Sequence, residues 1–364
     1  MRWSIKIGQY RGIGVYVHAT FLLLLALVGY LYWQDSKDLW KTAEGVLFIL
    51  ALFGCVLLHE FGHALAAAGY GIKTKDITLL PIGGVARLER MPREPLQELW
   101  VAVAGPLVNV VIAIAIAVWL LLRSAFEPLE VLSITKGDFL YRIMLVNIIL
   151  VVFNMLPAFP MDGGRVLRAL LATRLNYVQA TQIAANVGQA MALLFGLAGI
   201  LMSNPLLVFI AFFVWIGAAQ ESGATEMQGM LDGIPVSAAT ITDFRILRPQ
   251  DTLNEAIDLI ISGSQQDFPV IDETLDRLVG ILTRQQLLTS LGQNDRSISI
   301  ADVMQTEFET VELSETLFTA FDRLQSCNCR TMPVMSRGKL VGLLTMDNLG
   351  EFLALRSALS KRKK

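Results

Sequence analysis

Apolar residues in this chain gather into long, nearly unbroken runs up to Gln220, then thin into short alternating and helix-period patches. A helix rising 1.5 Å per residue needs about 20 mainly apolar residues to cross the hydrocarbon of a bilayer. Six stretches approach that length, at Tyr16 to Trp33, Gly45 to Ala68, Leu99 to Leu122, Phe139 to Leu156, Thr181 to Met202 and Pro205 to Ala219, and they predict a polytopic helical bundle. Ser203 and Asn204 separate the last two, which predicts an antiparallel helical hairpin. Between the second and third stretches, Lys75 to Leu80 and Val85 to Glu89 are β-prone runs joined through Pro81-Ile82-Gly83-Gly84. They predict a two-stranded ribbon, whose free edge would suit an extended peptide; the alternative is a plain connecting loop.

Past a linker around Glu221 to Gly233 the pattern repeats itself. Thr252-Leu253 opens one helix-like run and Thr316-Leu317 another, and Pro269-Val270 recurs as Pro333-Val334, 64 residues on. Leu278-Val279-Gly280-Ile281-Leu282-Thr283 returns as Leu340-Val341-Gly342-Leu343-Leu344-Thr345. Self-similarity of this kind marks a duplication, each copy reading as helix, strand, strand, helix. The expected fold class is thus a membrane domain of about six transmembrane helices with a short β-ribbon, followed by a soluble α/β module.

Composition sharpens this division. The 364 residues are 54% hydrophobic and 17% charged, with a mean hydropathy of +0.54, where a soluble domain carries about 25% charged residues. The formal net charge of −2 gives no reason to expect a nucleic-acid partner. Cys55, Cys327 and Cys329 show no CxxC spacing, so free thiols rather than a disulfide framework are expected. The N-terminal segment with Arg2, Lys6 and Arg11 leads into an apolar run too long for a signal-peptide core and is read as retained. Basic residues concentrate on one side of the six crossings, among them Arg2, Lys73, Arg87, Arg165, Arg168 and Arg174, against a sparser set of Lys37, Lys41, Arg123, Lys136 and Arg142. By the positive-inside bias the first side is cytosolic, and it carries both the N-terminus and the soluble module.

The chemistry concentrates in His59-Glu60-Phe61-Gly62-His63, inside the second apolar stretch. Residues i and i+4 lie one above the other on a helix, so both imidazoles reach one zinc ion, with Glu60 beside the open coordination position. Charged residues in a bilayer are costly and persist mainly where they serve a purpose. A catalytic zinc site takes three protein ligands plus water, and Asp162, in Asn154-Met155-Leu156-Pro157-Ala158-Phe159-Pro160-Met161-Asp162-Gly163-Gly164, is the candidate third. Its prolines end the fourth helix and its glycines permit a tight turn. The second and fourth crossings run in the same direction, so their cytosolic ends meet. His18 and Cys55 are set aside as packed residues, and Arg165 and Arg168 as membrane anchors.

HExxH in one membrane helix, NxxPxxPxDGG two crossings later and the duplicated tail together resemble the branch of the site-2 protease family, the intramembrane zinc metalloproteases, that carries C-terminal tandem CBS domains. Weaker similarities lie in Gly12-Ile13 to His18, Pro81 to Gly84 and Gly105-Pro106-Leu107-Val108-Asn109; Met161 departs from the leucine more usual before the aspartate. The resemblance implies one zinc ion per chain held by His59, His63 and Asp162, with Glu60 as general acid/base. Asn109 would assist catalysis at the oxyanion, the alternative being an interhelical hydrogen bond. The implied activity is cleavage of transmembrane segments of membrane proteins, regulated through the CBS pair; the alternative is an inactive scaffold of the same fold that retains membrane proteins. CBS pairs often bind adenine nucleotides through a Thr-x-x-Asp, but Gln286 and Asn348 occupy the two aspartate positions here. That leaves nucleotide binding or a structural, homodimerising role open. Expected boundaries are 1–220 for the membrane metalloprotease domain, 221–234 for the linker, 235–293 and 294–357 for the CBS motifs and 358–364 for a basic tail. A bacterial-type cytoplasmic membrane is the expected location, with a plastid or thylakoid membrane as alternative.

Overall fold

The computed structural model describes residues 3–123, 138–272, 274, 277–292, 298–327 and 329–361. Arg2, Lys136 and residues 362–364 of the expected basic tail lie outside them. The chain divides into two compact units, Met1–Thr225 and Glu226–Lys364.

The first unit begins with two strands, β1 (Ser4–Tyr10) and β2 (Ile13–His18), then helices α1 (Ala19–Ser36) and α2 (Leu39–Ala68). The first expected crossing therefore starts three residues late, because Tyr16 to His18 belong to a strand. His18 has a task after all: its side chain accepts from the Thr20 backbone N–H and caps α1. Asp38 does the same for α2 through Trp40, which extends that helix upstream of Gly45 into more polar sequence. Next come β3 (Thr74–Leu80), β4 (Gly83–Leu88), α3 (Pro95–Leu122), α4 (Phe139–Asn154), α5 (Asp162–Ala172), α6 (Tyr177–Leu201) and α7 (Pro205–Leu231).

The expected two-stranded ribbon is half of a four-stranded sheet ordered β1-β2-β3-β4, with β2 and β3 parallel at its centre and β4 at an edge. Alternation explains why the sheet forms: Ile13, Val15 and Val17 of β2 and Ile77 and Leu79 of β3 are buried. Ile13 and Ile77 pack with Ala64 of α2, and Val17 and Leu79 with Phe53 of the same helix. Asp76 and Arg87, opposite one another in the register, form an ion pair.

Among the described residues α2, α3, α6 and α7 are long and apolar enough to cross a membrane. Of the other two expected crossings, α4 is a shorter apolar helix of 16 residues and α1 has 18. Helix α7 also runs beyond Ala219 and turns most of the expected linker into helix.

The second unit holds two similar halves. One contains α8 (Leu253–Ser262), β5 (Phe268–Asp272), β6 (Arg277–Leu282), α9 (Arg284–Leu291) and α10 (Ile300–Val303). The other has β7 (Val311–Glu312), α11 (Leu317–Ser326), β8 (Thr331–Ser336), β9 (Lys339–Thr345) and α12 (Met346–Lys361). Equivalent bridges join Leu247 to Val270 and Val311 to Val334. The segments leading into each half are exchanged: Ile241 pairs with Leu343 of the second half, and Gln305 with Ile281 of the first. The cores follow suit, Val236 and Ala239 packing with Leu317, Met332 and Val334. Cys327 and Cys329, expected as free thiols, are paired as a disulfide, with their Cα atoms 5.2 Å apart. Cys55 is free and buried.

Candidate metal centre

His59 and His63 sit one turn apart on α2, both buried, their ring centroids 4.7 Å apart. Asp162 is the first residue of α5 and is buried against them. Its Oδ2 lies 3.1 Å from His59 Nε2 and 3.2 Å from His63 Nε2, and the two Nε2 atoms are 3.1 Å apart. The expected turn at Asp162-Gly163-Gly164 is instead the first turn of a helix. The glycines answer to close packing: a methyl group at Gly163 would run into the backbone of Met155 and Leu156, and one at Gly164 would lie 2.7 Å from Ala158 C and Phe159 N.

The imidazoles are held from behind. His63 Nδ1 is 2.7 Å from the Val101 carbonyl, which only accepts, so Nδ1 carries the proton and Nε2 keeps a lone pair. A longer chain fixes His59. The Ile143 carbonyl accepts from Asn147 Nδ2 at 2.8 Å, Asn147 Oδ1 accepts from Asn109 Nδ2 at 2.8 Å, and Asn109 Oδ1 then accepts from His59 Nδ1 at 2.5 Å. That orders both amides and leaves His59 Nε2 as the free acceptor.

Three acceptor atoms thus face one another at 3.1–3.2 Å, an arrangement that repels itself unless a cation lies between. Ligands about 2.0 to 2.1 Å from a tetrahedral zinc ion stand about 3.3 Å from each other, so two imidazole nitrogens and a carboxylate oxygen fit that ion in chemistry and spacing. Gly105 on α3 keeps the place open: a methyl group there would lie 2.7 Å from His59 Nε2 and strike the His63 ring.

Glu60, on the same helix, turns towards the sheet, its Oε2 accepting the backbone N–H of Ala86 on the edge strand β4 at 3.2 Å. Asn109 makes the interhelical hydrogen bonds that were the alternative to an oxyanion role, its carbonyl serving His59 and its amide group Asn147. Asn147, the Val101 carbonyl and the packing need at Gly105 went unread in the sequence. A lone asparagine in an apolar helix was the available signal for the first.

Arg165 and Arg168 are more than anchors. Arg165 Nη1 approaches Asp162 Oδ1 at 3.6 Å, and Arg168 is 1% exposed. Arg142 is buried too, over the Phe48 ring and 3.0 Å from Glu44.

The second unit has its own cavity, of about 1570 Å³, lined by residues of both halves including Asp267, Arg284, Thr331, Thr345, Asp347 and Asn348. Asp267 is committed to the Arg284 N–H at 2.9 Å and the Thr331 hydroxyl at 2.6 Å. Asn348 Nδ2 donates to the Ala239 carbonyl at 2.6 Å, and Gln286 Oε1 accepts from the N–H and hydroxyl of Thr283, both at 3.0 Å.

Comparison with known proteins gives two family matches, peptidase family M50 over residues 47–195 and the CBS domain over residues 236–292 and 300–354. Zinc metalloprotease MJ0392 of Methanocaldococcus jannaschii is 37% identical over 78% of this chain and 78% of its own. Stage IV sporulation protein FB of Bacillus subtilis is 30% identical over 41% of this chain and 48% of its own. A solved site-2 protease from Methanocaldococcus jannaschii is 39% identical, covering 60% of this chain and 95% of that one, with a TM-score of 0.45.

Proposed function

Since the chain belongs to peptidase family M50 and is a zinc metalloprotease of the membrane, we propose that it hydrolyses peptide bonds within membrane-spanning segments of other proteins. His59, His63 and Asp162 hold the zinc, and the observation that carries this assignment is the meeting of their three lone-pair atoms in one buried place. Zinc in such a site lowers the pKa of water towards about 7 and polarises a carbonyl. Glu60, one residue from His59, takes the proton of the attacking water and returns it to the departing amide nitrogen as the C–N bond breaks. Asn109 orients His59.

A helix buries its scissile bonds in its own hydrogen-bond ladder, so a substrate has to unwind first. The edge strand β4 supports a route, because an extended segment pairs there by backbone hydrogen bonds, beside the N–H that Glu60 accepts. The paired segment competes with Glu60 for the Ala86 N–H and leaves the carboxylate to the attacking water.

The basic residues favour a cytosolic N-terminus and CBS pair, and a bacterial-type cytoplasmic membrane is the reading kept, with a plastid or thylakoid membrane as the alternative. The CBS cavity is the place for a regulatory ligand, an adenine nucleotide by resemblance. With Asn348 engaged internally and Gln286 bonded to Thr283, ribose recognition falls to lining groups such as Asp347, or the pair serves homodimerisation.

The deciding experiment reconstitutes the protein in vesicles with a single-span substrate. Wild type is expected to release two fragments, and E60Q to lose about 10²- to 10⁴-fold in rate while keeping one zinc per chain. Full cleavage by E60Q sinks the mechanism. Substrate capture without cleavage by wild type, unchanged by chelator, shifts the reading to a retention scaffold.

A further inference from the structure

Asp162 stands on weak footing for a metal ligand. It opens an 11-residue helix directly after a loop, where Gly163 and Gly164 pack closely on the backbone of residues 155–159 and Arg165 Nη1 stands 3.6 Å from its Oδ1. His59 and His63, by contrast, stand on a helix of 30 residues. Where so short a helix lies is set by the contacts its later residues make.

Arg168 on α5 reaches α3, α6, α7 and the loop that leads to Asp162. Its Nε donates to Glu98 Oε1 of α3 at 2.7 Å, with Nη2 2.6 Å from the same oxygen, and its Nη1 donates to Glu221 Oε1 of α7 at 2.5 Å. The guanidinium lies 5.1 Å from the ring centre of Phe159, in the loop leading to Asp162, and 4.9 Å from that of Tyr177 on α6. Burial disfavours its charge, but Glu98 first, and then Tyr177 and Glu221, more than offset this and hold its pKa above the ordinary value. Helix α7 closes over the same loop: Val214 packs with Ala158, and Ala218 with Phe159. A methyl group at Gly217 would lie 2.5 Å from Pro160 Cδ.

We propose that Arg168, bridging Glu98 and Glu221, is the positioning residue that holds Asp162 at the metal centre. This rests on the reading of Asp162 as a zinc ligand. Burying two charged groups, Arg168 and Glu98, costs free energy that an apolar pair of the same volume avoids, and Glu98 Oε2 has no hydrogen-bond partner among the described residues. A cluster kept only for stability would be better built from leucines. A planar fork that ties one point of α5 to α3 and α7 defines direction, which apolar packing does less well. Glu221 sits on a helix that continues to Leu231, in the core of the second unit, so the contact lies on the element joining the two.

The test uses the full-length protein in detergent and measures zinc affinity by chelator competition, thermal midpoint, and kcat and KM on a membrane substrate. E221Q removes one charge from a partly exposed position and is expected to weaken zinc binding about tenfold or more, as loss of groups supporting metal ligands does. It should lower kcat with KM unchanged and keep the midpoint within a few degrees. R168K, which keeps the charge without the fork, is expected to show the same loss, and so is E98Q/R168M, which removes both deeply buried charges together and covers the case where a single variant unfolds. A lowered midpoint with wild-type zinc affinity, or wild-type affinity and kcat throughout, overturns the proposal. D162A is measured alongside: if it retains zinc, the ligand assignment has failed first, whereas zinc lost in D162A but kept in E221Q and E98Q/R168M refutes the positioning role alone.

Discussion

Around the metal centre, His59, His63, Asn109, Asn147 and Asp162 are buried among apolar helices; a directed path through Asn147 and Asn109 fixes His59, the Val101 carbonyl fixes His63, and three acceptor atoms face one another. Around the cavity of the second unit the polar groups satisfy one another, Asn348 with the Ala239 carbonyl and Asp267 with the Arg284 N–H and the Thr331 hydroxyl, so that each acceptor already faces a donor. Polar side chains in a low-dielectric interior are expensive to leave unpaired, so an arrangement that leaves lone pairs facing each other there has to be explained by a ligand. In an open cleft water solvates what the protein does not, and the same residue types carry far less information.

The contrast is sharpest at the ligands. Replacing His59, His63 or Asp162 by alanine is expected to take zinc from about one per chain to none, measured by metal analysis of the purified protein, and activity with it. Zinc retained in all three would erase the distinction between the regions. Close behind comes G105A, whose added methyl occupies the space between the rings; it should lose most of its zinc although no ligand has changed, and a wild-type metal content would show that the site opens further than described.

Asn147 tests the path rather than its end. N147L keeps the volume but leaves the Asn109 amide undirected, and is expected to weaken zinc binding about 10- to 100-fold by chelator competition with a smaller change in thermal midpoint. The mirror experiment is N348A in the second unit. Loss of its hydrogen bond to Ala239 should cost about 1 kcal/mol of stability, read by denaturant unfolding of that unit's signal, with zinc affinity unmoved. Equal effects of N147L and N348A on zinc would break the comparison.

How far the sequence could be read follows the same line. The His59-Glu60-His63 spacing and Asp162 were legible because ionisable residues stand out in apolar runs, and crossing parity alone brought them to one side. The sheet was half legible: β3 and β4 are joined by a Pro-Ile-Gly-Gly turn, whereas β2 runs straight into α1, and its apolar residues merge with the helix's own. Helix α5 was hidden because Asp-Gly-Gly is as good a turn as a helix start, and only packing against Ala158 and Phe159 decides between them. Arg168 was misjudged because a basic residue at a membrane edge already has an explanation, and its partners Glu98 and Glu221 are distant in sequence. The pairing of Cys327 with Cys329 is not one that a Cys-x-Cys spacing announces.

The exchanged lead segments of the second unit bear on how this protein can be taken apart. Because the residues before the first repeat complete the second, and those between the repeats complete the first, a cut placed at the seam of the duplication yields two fragments that each lack a bridging segment and keep an orphaned one. Such halves would be sticky and ill-folded alone, yet able to recombine with each other, or with the matching half of another molecule.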